Sequence, residues 1–214
     1  MVKDIYPGAS SGYPNHFMNV NGTLFFWAND GVNGYELWKS DGTTIGTVPV
    51  KDIYTGVNSS SPTGALIGST VSYNGLLYFQ ANDGTNGYEF WQSDGTPGGT
   101  TLVKDIYSGG NGYPNGLTIC NGKLFFYATD ATNGTELWIS DGTTGGTVLL
   151  KDINPGISNS SPVSLFDMNG TLFFAANDGV NGNELWKSDG TLAGTVLVKD
   201  IWTGASSASI AGFI

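Results

Sequence analysis

Arginine is absent from the 214 residues, histidine and cysteine occur once each, and charged side chains make up only 12%. The basic residues are 8 scattered lysines against 18 acids, for a net charge of −10. Phosphate contacts need clustered lysine and arginine, so no nucleic-acid partner is expected. Attraction to anionic membranes fails for the same reason. No apolar run approaches the ~18 residues of a spanning helix, so membrane insertion is not expected, and no secretory leader is visible. Cys120 cannot form an internal disulfide and reads as a small buried residue.

What is abundant is glycine, at 33 residues, together with aromatics at 13%. That mixture suits many short strands joined by tight turns, with enough aromatic surface for a packed interior. Self-similarity organises it. Lys-Asp-Ile recurs from Lys3, Lys51, Lys104, Lys151 and Lys199, which sets a unit of about 48 residues. Asn-Gly recurs from Asn21, Asn74, Asn121 and Asn169, and Ser-Asp-Gly-Thr from Ser40, Ser93, Ser140 and Ser188. From each Asn-Gly to the next Lys-Asp the spacing is constant. All length variation lies between Lys-Asp-Ile and the following Asn-Gly.

Each unit divides into four short strands. Asn-Gly between the first two is a strong hairpin signal, because a type I′ turn requires positive φ at both central residues. The second strand is apolar on both faces (Leu24, Phe25, Phe26, Trp27), which predicts burial on two sides. Pro49 stands in the fourth strand where other copies have leucine, which predicts an outer edge. Four antiparallel strands repeated at this length predict an all-β fold, a β-propeller of four complete four-stranded blades. The blades are expected at about 13–53, 61–106, 113–153 and 161–201, in one domain spanning 1–214. Partial-blade strands are expected at 2–5 and 207–214.

Glu184-Leu185-Trp186-Lys187-Ser188-Asp189-Gly190-Thr191, followed by Gly194-Thr195-Val196-Leu197-Val198-Lys199-Asp200-Ile201, resembles the ELWxxDGT repeat family, also described as hyalin-like. The motif fits all four copies, with Phe90 in place of leucine in the second. This resemblance implies tandem repeats of a bacterial protein and an extracellular or cell-surface location. It implies no defined activity. Met1 stands directly before the interior of a repeat, so the sequence is expected to be a stretch of a longer array. The two terminal strands would then seek partners, and self-association through them is expected.

All acids except Asp167 sit at repeat positions. A catalytic acid and base need different environments, which symmetric carboxylates lack. Asp41, Asp94, Asp141 and Asp189 read as turn residues hydrogen-bonding loop N–H groups. Glu36, Glu89, Glu136 and Glu184 precede a core tryptophan and are expected to pair with a repeat lysine such as Lys51. The oxygen-rich loops carrying Asp30, Asp83, Asp130 and Asp178 are the candidate metal ligands, for Ca²⁺. Turn chemistry explains them without a metal, and no other cofactor is expected. His16 and Cys120 belong to the first and third units, which argues against a nucleophilic pair.

Trp38, Trp91, Trp138 and Trp186 repeat inside an apolar strand and read as core. The better ligand-binding candidates are the aromatics of the variable segment: Tyr6, Tyr13, Tyr54, Tyr107, Tyr113 and Trp202. They share a face with the Asn-Asp-Gly loops, and loops on a rigid scaffold commonly carry binding. The chain is therefore expected not to be an enzyme. It is expected to be an extracellular propeller scaffold for adhesion, protein interaction or self-assembly. A lectin-like propeller with repeated shallow glycan sites between blades is the alternative.

Overall fold

The computed structural model describes residues 1–60 and 69–204, and the expected strand at 207–214 lies outside the described residues. Every strand belongs to a four-stranded antiparallel sheet whose strands follow chain order. The first sheet holds β1 (Asn15–Val20), β2 (Thr23–Asn29), β3 (Tyr35–Ser40) and β4 (Val48–Lys51). The second holds β5 (Thr70–Tyr73), β6 (Leu76–Asn82), β7 (Tyr88–Ser93) and β8 (Thr101–Lys104). The third holds β9 (Asn115–Cys120), β10 (Lys123–Asp130), β11 (Gly134–Ser140) and β12 (Val148–Lys151). The fourth holds β13 (Val163–Met168), β14 (Thr171–Asn177), β15 (Asn183–Ser188) and β16 (Val196–Lys199). These are the blades of a β-propeller. Two compact units, Met1–Asp105 and Ile106–Ile214, each contain two of them.

The four Asn-Gly turns adopt the expected hairpin geometry. Positive φ occurs at both central residues, as at Asn21 (51°) and Gly22 (85°), or Asn169 (53°) and Gly170 (82°). This backbone twist matches the twist of the flanking strands and fixes their register. In β2 and β3 the register sets Phe26 opposite Trp38 and Trp27 opposite Leu37. Alternation then gives each sheet two apolar faces.

One face of each blade packs on the opposite face of the next within a unit. In the first unit Phe25, Trp27, Leu37, Val50 and Ile53 meet Leu77, Phe79, Ala81 and Trp91. Trp27 meets Phe79 edge-on, with centroids 5.4 Å apart. The second unit repeats the contact with Phe125, Leu137, Leu150 and Ile153 against Leu172, Phe174, Ala176 and Trp186. Each fully buried phenylalanine or leucine contributes roughly 1.5–3 kcal/mol here. As expected, β4 is an edge strand, where Pro49 costs no ladder hydrogen bond.

The Asp-Gly-Thr turns also follow expectation. Asp41 Oδ1 accepts from Thr43 N and Thr43 Oγ1, and Ser40 Oγ shares a hydrogen bond with Thr47 Oγ1 across the loop. Asp94, Asp141 and Asp189 do the same.

The glutamates depart from expectation. Glu36 is 1% exposed and does not pair with Lys51. Its carboxylate accepts from Ile53 N (2.9 Å), Tyr54 N (3.4 Å), Ser60 N (3.0 Å) and Ser60 Oγ (2.6 Å). Glu136 holds Ile153, Asn154 and Ser160 in the same way, and Glu184 holds Ile201 and Trp202. Lys51 instead crosses to the next blade, donating to Thr100 O at 2.8 Å with its Nζ 5.9 Å from the Trp91 ring centroid. Lys151 meets Thr195 O and Trp186 alike. A backbone cluster satisfies a buried carboxylate without desolvating a second charge.

The expected strand at 2–5 is also corrected. The segment forms no strand. It still reproduces the lysine contact. Lys3 donates to Thr47 O at 2.7 Å and lies 5.9 Å from the Trp38 centroid, while Ile5 packs on Phe26, Ala28 and Trp38.

Burial pushes the Glu36 carboxyl from 4.5 up to about 7, against the hydrogen bonds from Ser60, Ile53 and Tyr54. Glu136 is raised by the same cause. A raised acid holds its proton in the folded chain after the unfolded chain has lost it. This contribution is therefore complete below 4.5 and is lost as pH rises to about 7. Chemical denaturation at both ends of that window should show stability falling by on the order of 1–3 kcal/mol toward neutrality. The slope should flatten in Glu36→Gln. A parent profile that rises with pH, or a variant with the parent's slope, contradicts this account.

Candidate functional site

The β2–β3 loop and the segment leading into β1 meet in each blade. In the first blade Asn29 N donates to Gly12 O at 2.9 Å, and in the third Thr129 N donates to Gly112 O at 2.7 Å. The next residues, Tyr13 and Tyr113, are held in the left-handed region at φ 44° and 47°, each followed by proline. Such a conformation costs on the order of 1–2 kcal/mol for a non-glycine residue and persists only where the surroundings impose it. It turns both rings outward, leaving Tyr13 66% and Tyr113 49% exposed. Ser161 takes the same backbone position in the fourth blade, at φ 47°.

The six predicted aromatics fall into two groups. Tyr6 and Tyr54 lie flat on the loops, on Gly31 and Gly84. A methyl at either glycine would stand 2.5 Å from the ring. Ala131 occupies that position in the third blade, and there Tyr107 lies over Gly110 of its own segment. These three rings pack on backbone. Tyr13, Tyr113 and Trp202 are exposed. Sequence reasoning missed Tyr35, which opens β3 beside Tyr13. Burial raises the Tyr35 phenol, and the neighbouring Tyr13 phenol adds to the shift. The Tyr-Glu pair at 35–36, repeated at 88–89, was the available signal.

The predicted metal ligands do not fit a cation. Both oxygens of Asp30 accept from the loop itself: Val32 N at 2.9 Å, Asn33 N at 2.8 Å and Asn33 Nδ2 at 2.7 Å. Asp83, Asp130 and Asp178 are engaged in the same way. Burial works to raise the Asp30 carboxyl, but the donors from Asn33 and Val32 outweigh it and hold it below the usual range. Oxygens ringed by N–H groups are poorly placed to receive a divalent ion, which wants six to eight oxygen ligands. No group of three metal-ligating side chains occurs among the described residues.

Below this loop, a cavity of about 310 Å³ in the first unit is lined by Asp30, Asn33, Trp38, Lys51, Asp52 and Pro97 among others. Asp52 Oδ2 accepts from Gly56 N at 3.2 Å, whereas its buried Oδ1 has no hydrogen-bond partner. The cavity is thus lined by an indole, a cation and carboxylates. Cys120 lies elsewhere, buried in the second unit's core. Burial and the adjacent Asp167 push its thiol up to about 12, which removes it as a nucleophile. His16 sits in β1, with Nδ1 2.6 Å from Asn15 Oδ1.

No family model and no curated protein matches the chain. Solved structures do. A puromycin hydrolase mutant is 16% identical over 87% of this chain and 28% of its own, with a TM-score of 0.52. An endo-arabinase from Bacteroides thetaiotaomicron is 17% identical over 92% of this chain and 78% of its own, at 0.38. An α-L-arabinofuranosidase from Clostridium thermocellum is 14% identical over 88% and 70%, also at 0.38. The chain spans 28% of the length of the hydrolase. At these identities the likeness shows the fold, a β-propeller. It also corrects the expectation that the chain is not an enzyme. A hydrolase shares this fold, so the fold does not exclude catalysis.

Proposed function

We propose that the loop face of the repeats binds neutral carbohydrate, with Tyr13 and Tyr113 as stacking platforms. The observation that carries this reading is the outward display of both rings by a left-handed backbone, beside loops rich in Asn and Asp. A sugar presents an apolar C–H face to an aromatic ring and a rim of hydroxyls to amides and carboxylates. The scarcity of positive charge favours an uncharged ligand over an anionic one. Equivalent weak sites repeated along one chain would add through avidity. An extracellular or cell-surface setting belongs to the same proposal and rests on the ELWxxDGT resemblance.

The test is titration calorimetry against immobilised and free neutral oligosaccharides of pentoses and hexoses. At least one is expected to bind, and Tyr13→Ala with Tyr113→Ala is expected to weaken it about fivefold to tenfold. No binding across the panel, or binding indifferent to both tyrosines, overturns the reading. Both side chains are exposed, so the variants should keep the parent's stability.

A further inference from the structure

Asparagine followed by glycine can modify itself. The glycine N, stripped of its proton, attacks the asparagine Cγ, and no Cβ on the glycine obstructs the approach. The new N–C bond closes a cyclic imide, and Nδ2 takes up a proton and leaves as ammonia. Water then opens the imide at either carbonyl, giving aspartate or isoaspartate. Two freedoms are required. The side-chain amide must be able to turn onto its own main chain, and the glycine N–H must be available. The chain holds ten Asn-Gly pairs, and the structure sorts them.

Four lie in the loops that carry Asp30, Asp83, Asp130 and Asp178. There Asn33, Asn86, Asn133 and Asn181 each donate Nδ2 to the loop aspartate at 2.7–2.8 Å. These charge-assisted bonds hold the amide away from the main chain. Asn111 and Asn115 stand at the entry to β9, where Gly112 and Asn115 are both buried. The other four, Asn21, Asn74, Asn121 and Asn169, are exposed at hairpin tips. They share the left-handed backbone, with φ of 51°, 50°, 47° and 53°, so the cost of leaving it cancels in any comparison among them.

The tips differ at the glycine N–H. Gly22 N donates to Asn19 Oδ1 at 2.9 Å, and Gly170 N donates to Asp167 Oδ1 at 3.0 Å. Asp167, the single acid outside the repeat positions, thus covers the nucleophile of its own turn. Ile119 stands at this position in the third blade, where Gly122 has a partner of its own. In the second blade the position is Ser72, and neither Gly75 N nor the Asn74 side chain makes a hydrogen bond among the described residues. The Gly75 carbonyl accepts from Asn21 Nδ2 at 3.4 Å, which leaves its N–H untouched. We propose that Asn74 is a self-modification site, converting with water alone to aspartate and isoaspartate ahead of Asn21, Asn169 and the loop asparagines. Isoaspartate carries the main chain through the side-chain methylene and so removes the residue whose positive φ closes the β5–β6 turn.

Peptide mapping by mass spectrometry tests this on the full chain, stored folded at mildly alkaline pH in heavy-oxygen water to mark each converted residue. Asn74 should convert about threefold or more faster than Asn21 and Asn169, and about tenfold faster than Asn33, Asn86, Asn133 and Asn181, as the hydrogen bonds at those sites require. Asn19→Ala and, independently, Asp167→Ala should each raise the rate of their own turn toward that of Asn74. Both replace exposed side chains, and circular dichroism confirms the fold. In urea the lead of Asn74 should vanish, because the bonds that protect the other sites are gone. A lead that persists in urea places the cause in the sequence and overturns the proposal. So do folded rates at Asn21 and Asn169 equal to that at Asn74, loop asparagines that keep pace with it, or variants whose turns do not accelerate.

Discussion

Glu36→Ala is expected to lower the unfolding free energy by about 3–5 kcal/mol, the largest effect of any single truncation in the first unit. The carboxylate is buried and accepts from Ile53 N, Tyr54 N, Ser60 N and Ser60 Oγ. Alanine would leave Ile53 N and Tyr54 N without that acceptor in a site closed to solvent, and Ser60 N and Oγ with Tyr35 O alone. Each orphaned donor costs on the order of 1–3 kcal/mol, moderated where the backbone relaxes toward water. The deleted methylenes add a cavity. Urea denaturation monitored by tryptophan fluorescence measures the loss. Glu36→Gln keeps one acceptor but sets an amide N–H against the remaining donors, so an intermediate loss is expected. A drop below about 1 kcal/mol for alanine would show that water replaces the carboxylate and that the cluster does not hold the connection.

Gly34→Ala is the second large effect, at about 3 kcal/mol or more. Gly34 sits at φ 70°, where a side chain alone costs on the order of 1 kcal/mol. The larger cost is steric. A Cβ there would lie 2.0 Å from Asn58 O and 2.6 Å from Asn58 C. These are backbone atoms of the connection anchored by Glu36 and by the Ser60 N to Tyr35 O hydrogen bond, so they cannot retreat without breaking that cluster. Gly22→Ala supplies the comparison, because its φ of 85° is equally left-handed but a Cβ meets nothing within 4 Å. Thermal unfolding of the pair separates conformational strain from the clash. Equal losses at Gly22 and Gly34 would show that Asn58 yields.

The parts of the fold legible in the sequence are those whose partners are close along the chain. Asn-Gly announces its own backbone geometry, and Asp41 bonds to Thr43, two residues on. Pro49 marks an edge because it lacks a donor. The core tryptophans declare themselves by strict repetition in an apolar strand. The parts that were misread have distant partners without a side-chain signature. Glu36 binds backbone N–H groups 17 to 24 residues later, and any residue carries such a donor. Lys51 reaches a carbonyl in the following repeat, 49 residues away. Opposite charge suggested pairing the two, but the structure gives each its own backbone partners.

The candidate site was legible to a similar depth. The loop face and its aromatics could be chosen from turn chemistry and position. Which rings project could not, because that depends on single residues such as Gly31 against Ala131 and on the left-handed backbone at Tyr13. The catalytic question was misjudged because symmetry of a residue set describes the chain and not the chemistry a fold can host.

The glutamate cluster also bears on how such an array changes length. Glu36 and Glu136 grip residues 17 and 24 positions downstream with the same spacing, although the connections that follow differ in length. The extra residues of the first connection therefore enter after Ser60. In these two connections one carboxylate separates a stretch of equal length from a stretch that differs. Insertions placed beyond the serine leave the blade-to-blade contact intact, and the next blade begins in register whatever the insertion contains. Variation is thereby channelled to the approach of the first strand, where the exposed tyrosines stand. A repeat so partitioned can diversify the residues it shows to a ligand without renegotiating the packing that holds it up.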